Sequence, residues 1–203
     1  MATSAQIPAI FKHKLEKKYT IEEYYRREEK SIHKHEYHAG KIIRMPGGKA
    51  KHSRLGYEVS RLIGNYIADE KLNFTVFNSD VMVRIDKLNK IVYPDATVVC
   101  EKVLFFDDGK TTIVNPILVV EVLSPSTKLH DETTKFGMYR TIPSFKEYIL
   151  VNQDTEQVSV FTKQTNGDWL LKDYIGRDAT AVLVAIHNCP VSLAALYKGT
   201  ENL

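Results

Sequence analysis

The chain has 203 residues, of which 43% are hydrophobic and 26% are charged. This composition excludes an intrinsically disordered chain and provides enough apolar volume for one α/β domain. Two cysteines, Cys100 and Cys189, are too few for a disulfide framework, so a reducing, cytoplasmic setting is expected. No run of about 18 apolar residues is present, so no membrane partner is expected.

The formal net charge of +3 is unevenly distributed along the chain. Residues 1–51 carry 12 Lys and Arg against 6 Asp and Glu, whereas the remaining residues carry 16 against 19. The basic N-terminal quarter permits a polyanionic partner, because Lys and Arg contacts to phosphate supply most sequence-independent affinity for nucleic acid. A solvated basic face explains the same bias, and both interpretations stay open.

The N-terminal part of the sequence predicts an arm, a helix and a hairpin. Residues 1–18 form the predicted flexible arm, because they end in a polar, unpatterned stretch, and a single domain is predicted over 19–203. Thr20, followed by acidic residues, predicts a helix that ends near Glu29. Residues 35–45 predict a β-hairpin around Ala39-Gly40.

A long amphipathic helix is predicted next, with His52 one turn before its apolar face. That face consists of Leu55, Val59, Leu62, Ile63, Tyr66 and Ile67. Three extended segments follow, and we expect them to share one sheet: Phe74–Phe77, Val81–Ile85 and Ile91–Cys100. The apolar run 117–123 predicts a strand buried on both faces, at the centre of the sheet.

The C-terminal part predicts one more helix followed by strands. Asp131 is expected to cap a helix that runs toward Arg140 and ends before Pro143. Residues 147–152, 158–162 and 169–174 predict strands, and residues 192–198 predict a short terminal helix.

Glu121 is the most informative residue, because it is the one charged side chain in the apolar run 117–123. An ionised carboxylate in such a strand costs several kcal/mol unless a cation or strong hydrogen-bond donors meet it, roughly the penalty known for unpaired buried charges. Two interpretations remain open. The carboxylate forms a structural ion pair with a covering helix, or it serves as a metal ligand or general base.

Asp95 follows Pro94 in a segment rich in β-branched residues, so a second acid interrupts a strand. Considered alone, Pro94-Asp95 is better explained by an ordinary turn, although bulges at proline often re-aim side chains near active sites. Together, Asp95 and Glu121 provide the hard oxygen ligands that suit Mg²⁺ or Mn²⁺. Such an ion assists phosphodiester cleavage by activating water and neutralising charge on the phosphate.

Several short motifs carry a family resemblance. They are Tyr93-Pro94-Asp95, the block Val119-Val120-Glu121-Val122-Leu123-Ser124-Pro125-Ser126-Thr127, and Asp131, Lys135 and Tyr139 at helical spacing. The sequence resembles the Uma-type restriction endonuclease family, a branch of the PD-(D/E)XK nuclease superfamily, over roughly Tyr19 to Phe161. The resemblance implies a restriction-endonuclease-like α/β core with a mixed central sheet flanked by helices, and DNA as the substrate.

The resemblance also implies roles for individual residues. Asp95 and Glu121 would hold the metal ion, and Lys135 would replace the superfamily's usual lysine, whose position is Leu123 here. The i, i+4, i+8 spacing from Asp131 supports this placement, although a simple Asp131–Lys135 ion pair explains it too.

Secondary candidates come from the same comparison: Glu36 on the hairpin, Asp80 before the next strand, and His52 on the long helix. Glu36 and Asp80 have ordinary alternatives, as a solvated strand residue and a turn residue.

The sequence therefore predicts a Mg²⁺-dependent (or Mn²⁺-dependent) endodeoxyribonuclease. The alternative is a catalytically inactive nucleic-acid-binding or assembly domain with the same fold. A third reading, a zinc site at His33, His35 and His38, lacks a closing set of ligands. Cutting both DNA strands would favour a homodimer by symmetry.

Overall fold

The computed structural model describes residues 17–124 and 129–203. Most of the predicted arm and the Pro125-Ser126-Thr127 part of the resemblance block therefore lie outside the described residues. The helices are α1 (Ile21–Glu28), α2 (Ala50–Asp69), α3 (Phe136–Tyr139) and α4 (Leu193–Leu196). The strands are β1 (His35–His38), β2 (Lys41–Arg44), β3 (Phe74–Asn78), β4 (Met82–Ile85), β5 (Lys90–Val92), β6 (Ala96–Cys100), β7 (Thr112–Ile113), β8 (Leu118–Leu123), β9 (Glu147–Asn152), β10 (Gln157–Lys163), β11 (Trp169–Ile175), β12 (Thr180–Leu183) and β13 (Cys189–Ser192).

The N-terminal helix and hairpin form as predicted. Thr20 and Glu23 make a capping box at the start of α1, in which each side chain bonds the other residue's backbone N–H. Strands β1 and β2 pair antiparallel around Ala39 and Gly40, which both have positive φ. Such φ values are what a tight hairpin turn requires.

Two larger sheets organise the described residues. The smaller has the order β2-β1-β5-β4-β7, and the larger has the order β11-β10-β9-β8-β6-β3. The larger sheet is mixed, because β8 pairs parallel with β9 and antiparallel with β6. Strand β8 is buried along its whole length, so its predicted central position is confirmed.

The side chains of β8 alternate between two hydrophobic clusters. Val120 and Val122 pack with residues of α2, whereas Val119 and Leu123 pack with α3 and strands of the smaller sheet. Because side chains alternate along a strand, Glu121 shares the face of Val119 and Leu123. Its carboxylate is thereby directed into the layer between the large sheet and α3.

The prediction of one strand over Ile91–Cys100 is wrong. Strand β5 ends at Val92 in the smaller sheet, and β6 begins at Ala96 in the larger one. Pro94 has no N–H to donate to a ladder, so regular pairing stops there and the chain crosses between sheets. The expected single sheet of three segments is wrong for the same reason, since β3 joins β6 while β4 joins β5.

The predicted helix after β8 is present, but Asp131 does not cap it. The backbone is π-helical over His130–Lys135 and continues as α3, and Leu129 occupies the N-cap position without a side-chain cap. Asp131 lies inside the first turn, where its buried side chain faces Lys135 instead of the backbone N–H groups. The helix ends before Pro143 as expected.

The C-terminal strands β9, β10 and β11 form an antiparallel meander, in agreement with the prediction. The sequence analysis missed the short strand β7 and the β12–β13 hairpin, which packs with α4 against α2. None of the helices that the structure describes is long and apolar enough to cross a membrane.

Candidate active site

Asp95 and Glu121 come together where the chain enters β6 beside β8. Asp95 immediately precedes Ala96, the first residue of β6, and Ala96 pairs with Val120, the neighbour of Glu121 on β8. The Asp95 N–H still donates to the Val120 carbonyl oxygen at 3.1 Å, so the crossing segment stays attached to β8. The two acids are close enough that the charge of Asp95 raises the pKa of Glu121.

Among the described residues, Glu121 has two polar side-chain partners, both supplied by the helix that covers its face of the sheet. The Tyr139 hydroxyl donates to Oε1 at 2.8 Å, and Lys135 Nζ lies 3.0 Å from Oε2. The same ammonium lies 3.3 Å from Asp131 Oδ1, so one lysine serves two buried carboxylates. The acid, the lysine and the tyrosine are all buried.

Burial and the neighbouring charges together set the protonation of Glu121 and Lys135. Burial raises the pKa of Glu121 to about 8; Lys135 opposes this rise, and Asp95 adds to it. Burial alone would lower the pKa of Lys135, but the charges of Glu121 and Asp131 raise it above the ordinary lysine value. Lys135 therefore remains an ammonium at neutral pH, whereas Glu121 exchanges its proton near neutrality.

Asp95 lies at the crossing between the two sheets, in contact with β8 and α2. Its Oδ2 accepts the Val122 N–H at 2.7 Å and lies 3.4 Å from His52 Nε2. Burial raises the pKa of Asp95, although His52 and the Val122 N–H favour the ionised form. The structure thus brings the secondary candidate His52 to Asp95.

Glu36 also belongs to this cluster. Its Oε2 lies 2.8 Å from His38 Nε2, and its Oε1 accepts the Tyr93 N–H at 3.4 Å. Burial would raise the pKa of Glu36, but the His38 hydrogen bond and the charge of Lys135 outweigh it and lower the pKa. Glu36 therefore approaches the centre from the smaller sheet.

Asp80 lies elsewhere. Its side chain is 70% exposed and pairs with Lys34 at 2.8 Å in the turn before β4. That hydrogen bond is the main reason why the pKa of Asp80 is lowered. An exposed pair of this kind contributes little to stability, about 0–1 kcal/mol. The structure accordingly does not group Asp80 with Glu121 and Lys135.

The three histidines of the zinc reading have three different partners. His33 contacts Arg44, His35 pairs with Glu28, and His38 pairs with Glu36. Residues 17–124 and 129–203 contain no group of three or more His, Cys, Asp or Glu side chains placed to hold a metal ion. The histidines therefore do not converge on a zinc site within these ranges.

The donor set at the acidic centre fits a hard divalent cation that takes two protein carboxylates. Four acids, namely Glu36, Asp95, Glu121 and Asp131, surround the single ammonium of Lys135. Asp131 Oδ1 is buried and has no hydrogen-bond partner among the described residues, although Lys135 lies within ion-pair distance. Mg²⁺ typically binds one or two carboxylates and completes its shell with water and substrate phosphate.

Comparisons with known proteins show the family and the fold of the chain. The model of the Uma2 family, described as "Putative restriction endonuclease", matches residues 21–193. The chain belongs to this family. Two relatives from Synechocystis sp. strain PCC 6803 are described as uncharacterized proteins. The first, sll1609, is 38% identical, and the match covers 79% of this chain and 89% of sll1609. The second, slr1290, is 36% identical, and the match covers 79% of this chain and 83% of slr1290.

A solved structure shows the same fold. A crystal structure described as "a putative nuclease belonging to DUF820" from Anabaena variabilis superposes with a TM-score of 0.68 and 18% identity. The match covers 90% of this chain and 99% of the other. The mixed sheet with its flanking helices is therefore the restriction-endonuclease-like fold that the resemblance implied.

The sequence analysis did not single out Tyr148, which supports the centre from β9. Its hydroxyl donates to the Asp131 carbonyl oxygen at 3.0 Å, and its ring packs against Tyr139. Tyr148 pairs in register with Val119, on the same face as Glu121. A strand tyrosine in an apolar run looks like an ordinary core residue, so only the register would have revealed it.

Proposed function

We propose that this chain is a divalent-metal-dependent endonuclease that hydrolyses phosphodiester bonds in DNA. The observation that carries the proposal is the buried Glu121 carboxylate, held by Lys135 and Tyr139 beside Asp95. The family description and the related nuclease structure support the same reading.

Asp95 and Glu121 would hold the ion, with Mg²⁺ expected and Mn²⁺ as a substitute. When bound, the ion would lower the pKa of a water molecule and neutralise charge on the scissile phosphate. The excess of buried carboxylates favours such a cation, because the repulsion between Asp95 and Glu121 is relieved by positive charge. Both acids must be deprotonated to act as ligands.

Lys135 has the properties required of the assisting group. It is buried, remains charged at neutral pH and is fixed between Glu121 and Asp131. An ammonium in this position can orient the attacking water or stabilise the negative charge that develops on the phosphate. Asp131 and Tyr139 act as positioning residues, because they hold Lys135 and Glu121 respectively.

The second candidate is a catalytically inactive domain that binds nucleic acid or assembles with partners. One observation favours it: Lys135 pairs with both Glu121 and Asp131, so these buried charges have a protein partner. Such a closed ion pair network can be purely structural.

Cleavage of supercoiled plasmid and of single-stranded DNA with Mg²⁺ or Mn²⁺ separates the two candidates. The wild-type chain is expected to cut in a metal-dependent way, and Asp95→Asn and Glu121→Gln, purified identically, should not. Asp80→Asn, an exposed acid outside the cluster, is the matched control and should cut normally. Equal cutting by wild type and both central variants would show a contaminating nuclease. Size-exclusion chromatography with and without DNA tests the expected homodimer.

A further inference from the structure

A groove lined by basic side chains lies between α1 and the β1–β2 hairpin. Its cavity volume is about 750 Å³, and its lining includes Arg26, Arg27, Lys30, His35 and Arg44 but no acidic residue among those described. We refer to it as the basic groove. Part of the positive charge of the N-terminal quarter of the sequence is therefore located in this groove.

The basic groove lies on the opposite face of the smaller sheet from the acidic centre. Arg44 pairs in register with His35, so both side chains share one face of the hairpin. Glu36, the next residue along β1, points to the other face, where Lys135 lowers its pKa. The two sites are therefore separated by the sheet itself.

The arginines and the lysine of the groove form no ion pair among the described residues, although Arg26 is close enough to lower the pKa of Glu22 and His35 pairs with Glu28. Arg26 donates to the Glu22 carbonyl oxygen, and Arg44 contacts His33. Neither these two nor Arg27 and Lys30 form an ion pair within the part of the chain that the structure describes. Four like charges on one concave surface repel one another, and a bound polyanion would relieve that repulsion.

An aromatic side chain stands among these cations. The Arg27 guanidinium lies 4.7 Å from the centre of the Tyr19 ring, and Lys17 Nζ lies 5.0 Å from it. Basic side chains interleaved with a partly exposed aromatic ring are typical of surfaces that follow a nucleic-acid backbone. Arg26 and Arg27 lie in the last turn of α1 and Lys30 lies just after it, while duplex DNA carries one charge per about 1.7 Å. A duplex therefore offers several phosphates to the groove.

We propose that the basic groove binds the phosphodiester backbone of a second stretch of nucleic acid, apart from the stretch at the acidic centre. The identity of the polyanion rests on the proposed nuclease function. The chain's own N-terminal segment is a poor occupant, because residues 1–16 carry Lys12, His13 and Lys14 against one acid, Glu16. The charge of that segment would instead add to the attraction for phosphate.

The test compares two triple variants, both carrying Asp95→Asn to prevent cleavage. The groove variant is Arg26→Gln, Arg27→Gln and Lys30→Gln, and the control is Lys102→Gln, Lys146→Gln and Lys163→Gln. The control removes the same charge from exposed positions at the far end of the larger sheet. Glutamine has a helix propensity similar to those of arginine and lysine, so α1 should be retained, and thermal unfolding checks this.

Binding of labelled duplex DNA is measured in EDTA over a range of KCl concentrations. The groove variant should bind at least about tenfold more weakly at low salt, and its log–log salt slope should be shallower by about 2–3. The control should match its Asp95→Asn parent. An affinity and slope equal to those of the control would overturn the proposal, as would a preference for phosphatidylserine vesicles over DNA that the groove substitutions abolish.

The outcome is distinguishable from that of the proposed function. A wild-type chain that never cuts, but whose DNA binding depends on the groove, removes the nuclease proposal and keeps this one. A wild-type chain that cuts with metal, but whose groove variant binds DNA normally, keeps the nuclease proposal and removes the proposal that the basic groove binds nucleic acid.

Discussion

Tyr139→Phe removes one hydroxyl from the acidic centre and should destabilise the fold in a pH-dependent way. The hydroxyl donates to Glu121 Oε1 at 2.8 Å, and the ring packs against Phe145 and Tyr148, contacts that phenylalanine retains. The substitution therefore tests the hydrogen bond with little change in packing.

The magnitude follows from the ionisation of Glu121, whose pKa is raised by burial to about 8. At about pH 6 the carboxyl is largely protonated, and loss of a neutral hydrogen bond costs about 1 kcal/mol. A donor favours the ionised form, so removing it raises the pKa of Glu121 further and keeps the variant protonated to higher pH. At about pH 9, ionisation of Glu121 lowers the free energy of the folded wild type by up to about 1.4 kcal/mol, compared with a folded state in which Glu121 stays protonated. The variant stays protonated and lacks this contribution. The free energy of unfolding that the substitution removes therefore grows from about 1 kcal/mol at about pH 6 to about 2 kcal/mol at about pH 9.

Urea denaturation at both pH values measures this difference. Tyr148→Phe is the matched control, because its hydroxyl donates to a backbone carbonyl oxygen in the same cluster. Its loss should be nearly independent of pH. If both variants lose the same free energy at both pH values, Glu121 does not ionise near neutrality and the reasoning about the centre is wrong.

Three further predictions concern the centre and the fold. Lys135→Met should reduce DNA cleavage by about 100- to 1000-fold, the usual effect of losing a charge-stabilising donor. Because Lys135 lowers the pKa of Glu121, its loss should also weaken Mn²⁺ binding near neutral pH, and cleavage equal to that of the wild type would contradict the assisting role. Because Glu121 must lose its proton to bind metal, and its pKa is about 8, the Mn²⁺ affinity of the wild type should rise about 50-fold between pH 6 and pH 8 and then level off. A flat pH profile would contradict this. Thr20→Ala breaks the capping box with Glu23 and should lower the free energy of unfolding by about 1 kcal/mol, whereas no change would show that α1 does not depend on its cap.

The elements that could be predicted from the sequence are those whose signal is local. The capping residues of α1 and the apolar periodicity of α2 fix each helix within its own residues. The apolar run of β8 likewise indicates a strand buried on both faces, and the structure confirms it. In each case the pattern of a single segment determines the outcome.

The sheet assignment around Pro94 could not be predicted, because it depends on which distant strand each half of the segment meets. The segments on both sides of Pro94 contain β-branched residues, and although the proline indicates a break in the ladder, nothing local shows that β5 and β6 join different sheets. The crossing nevertheless brings Asp95 beside β8. The feature that the sequence analysis got wrong is thus the one that positions a candidate site residue.

The grouping of the candidate residues shows a similar division. An acid in an apolar strand and a lysine at helical spacing from Asp131 were visible in the sequence, and the structure places Lys135 beside Glu121. Asp80, which precedes a strand in the sequence, lies instead in an exposed pair with Lys34. Sequence shows which acids interrupt strands, but burial decides which of them need a partner.

The most direct test of the account is calorimetric titration of Mn²⁺ into the metal-free protein at about pH 8, where Glu121 can lose its proton. Asp95→Asn and Glu121→Gln are the informative variants, since an amide oxygen can still accept the hydrogen bonds of Val122 and Tyr139. We expect one bound ion per chain for the wild type and for Asp80→Asn, and none for either central variant. Binding that survives both central substitutions, or is absent from the wild type, would contradict the claim that Asp95 and Glu121 together hold a divalent ion.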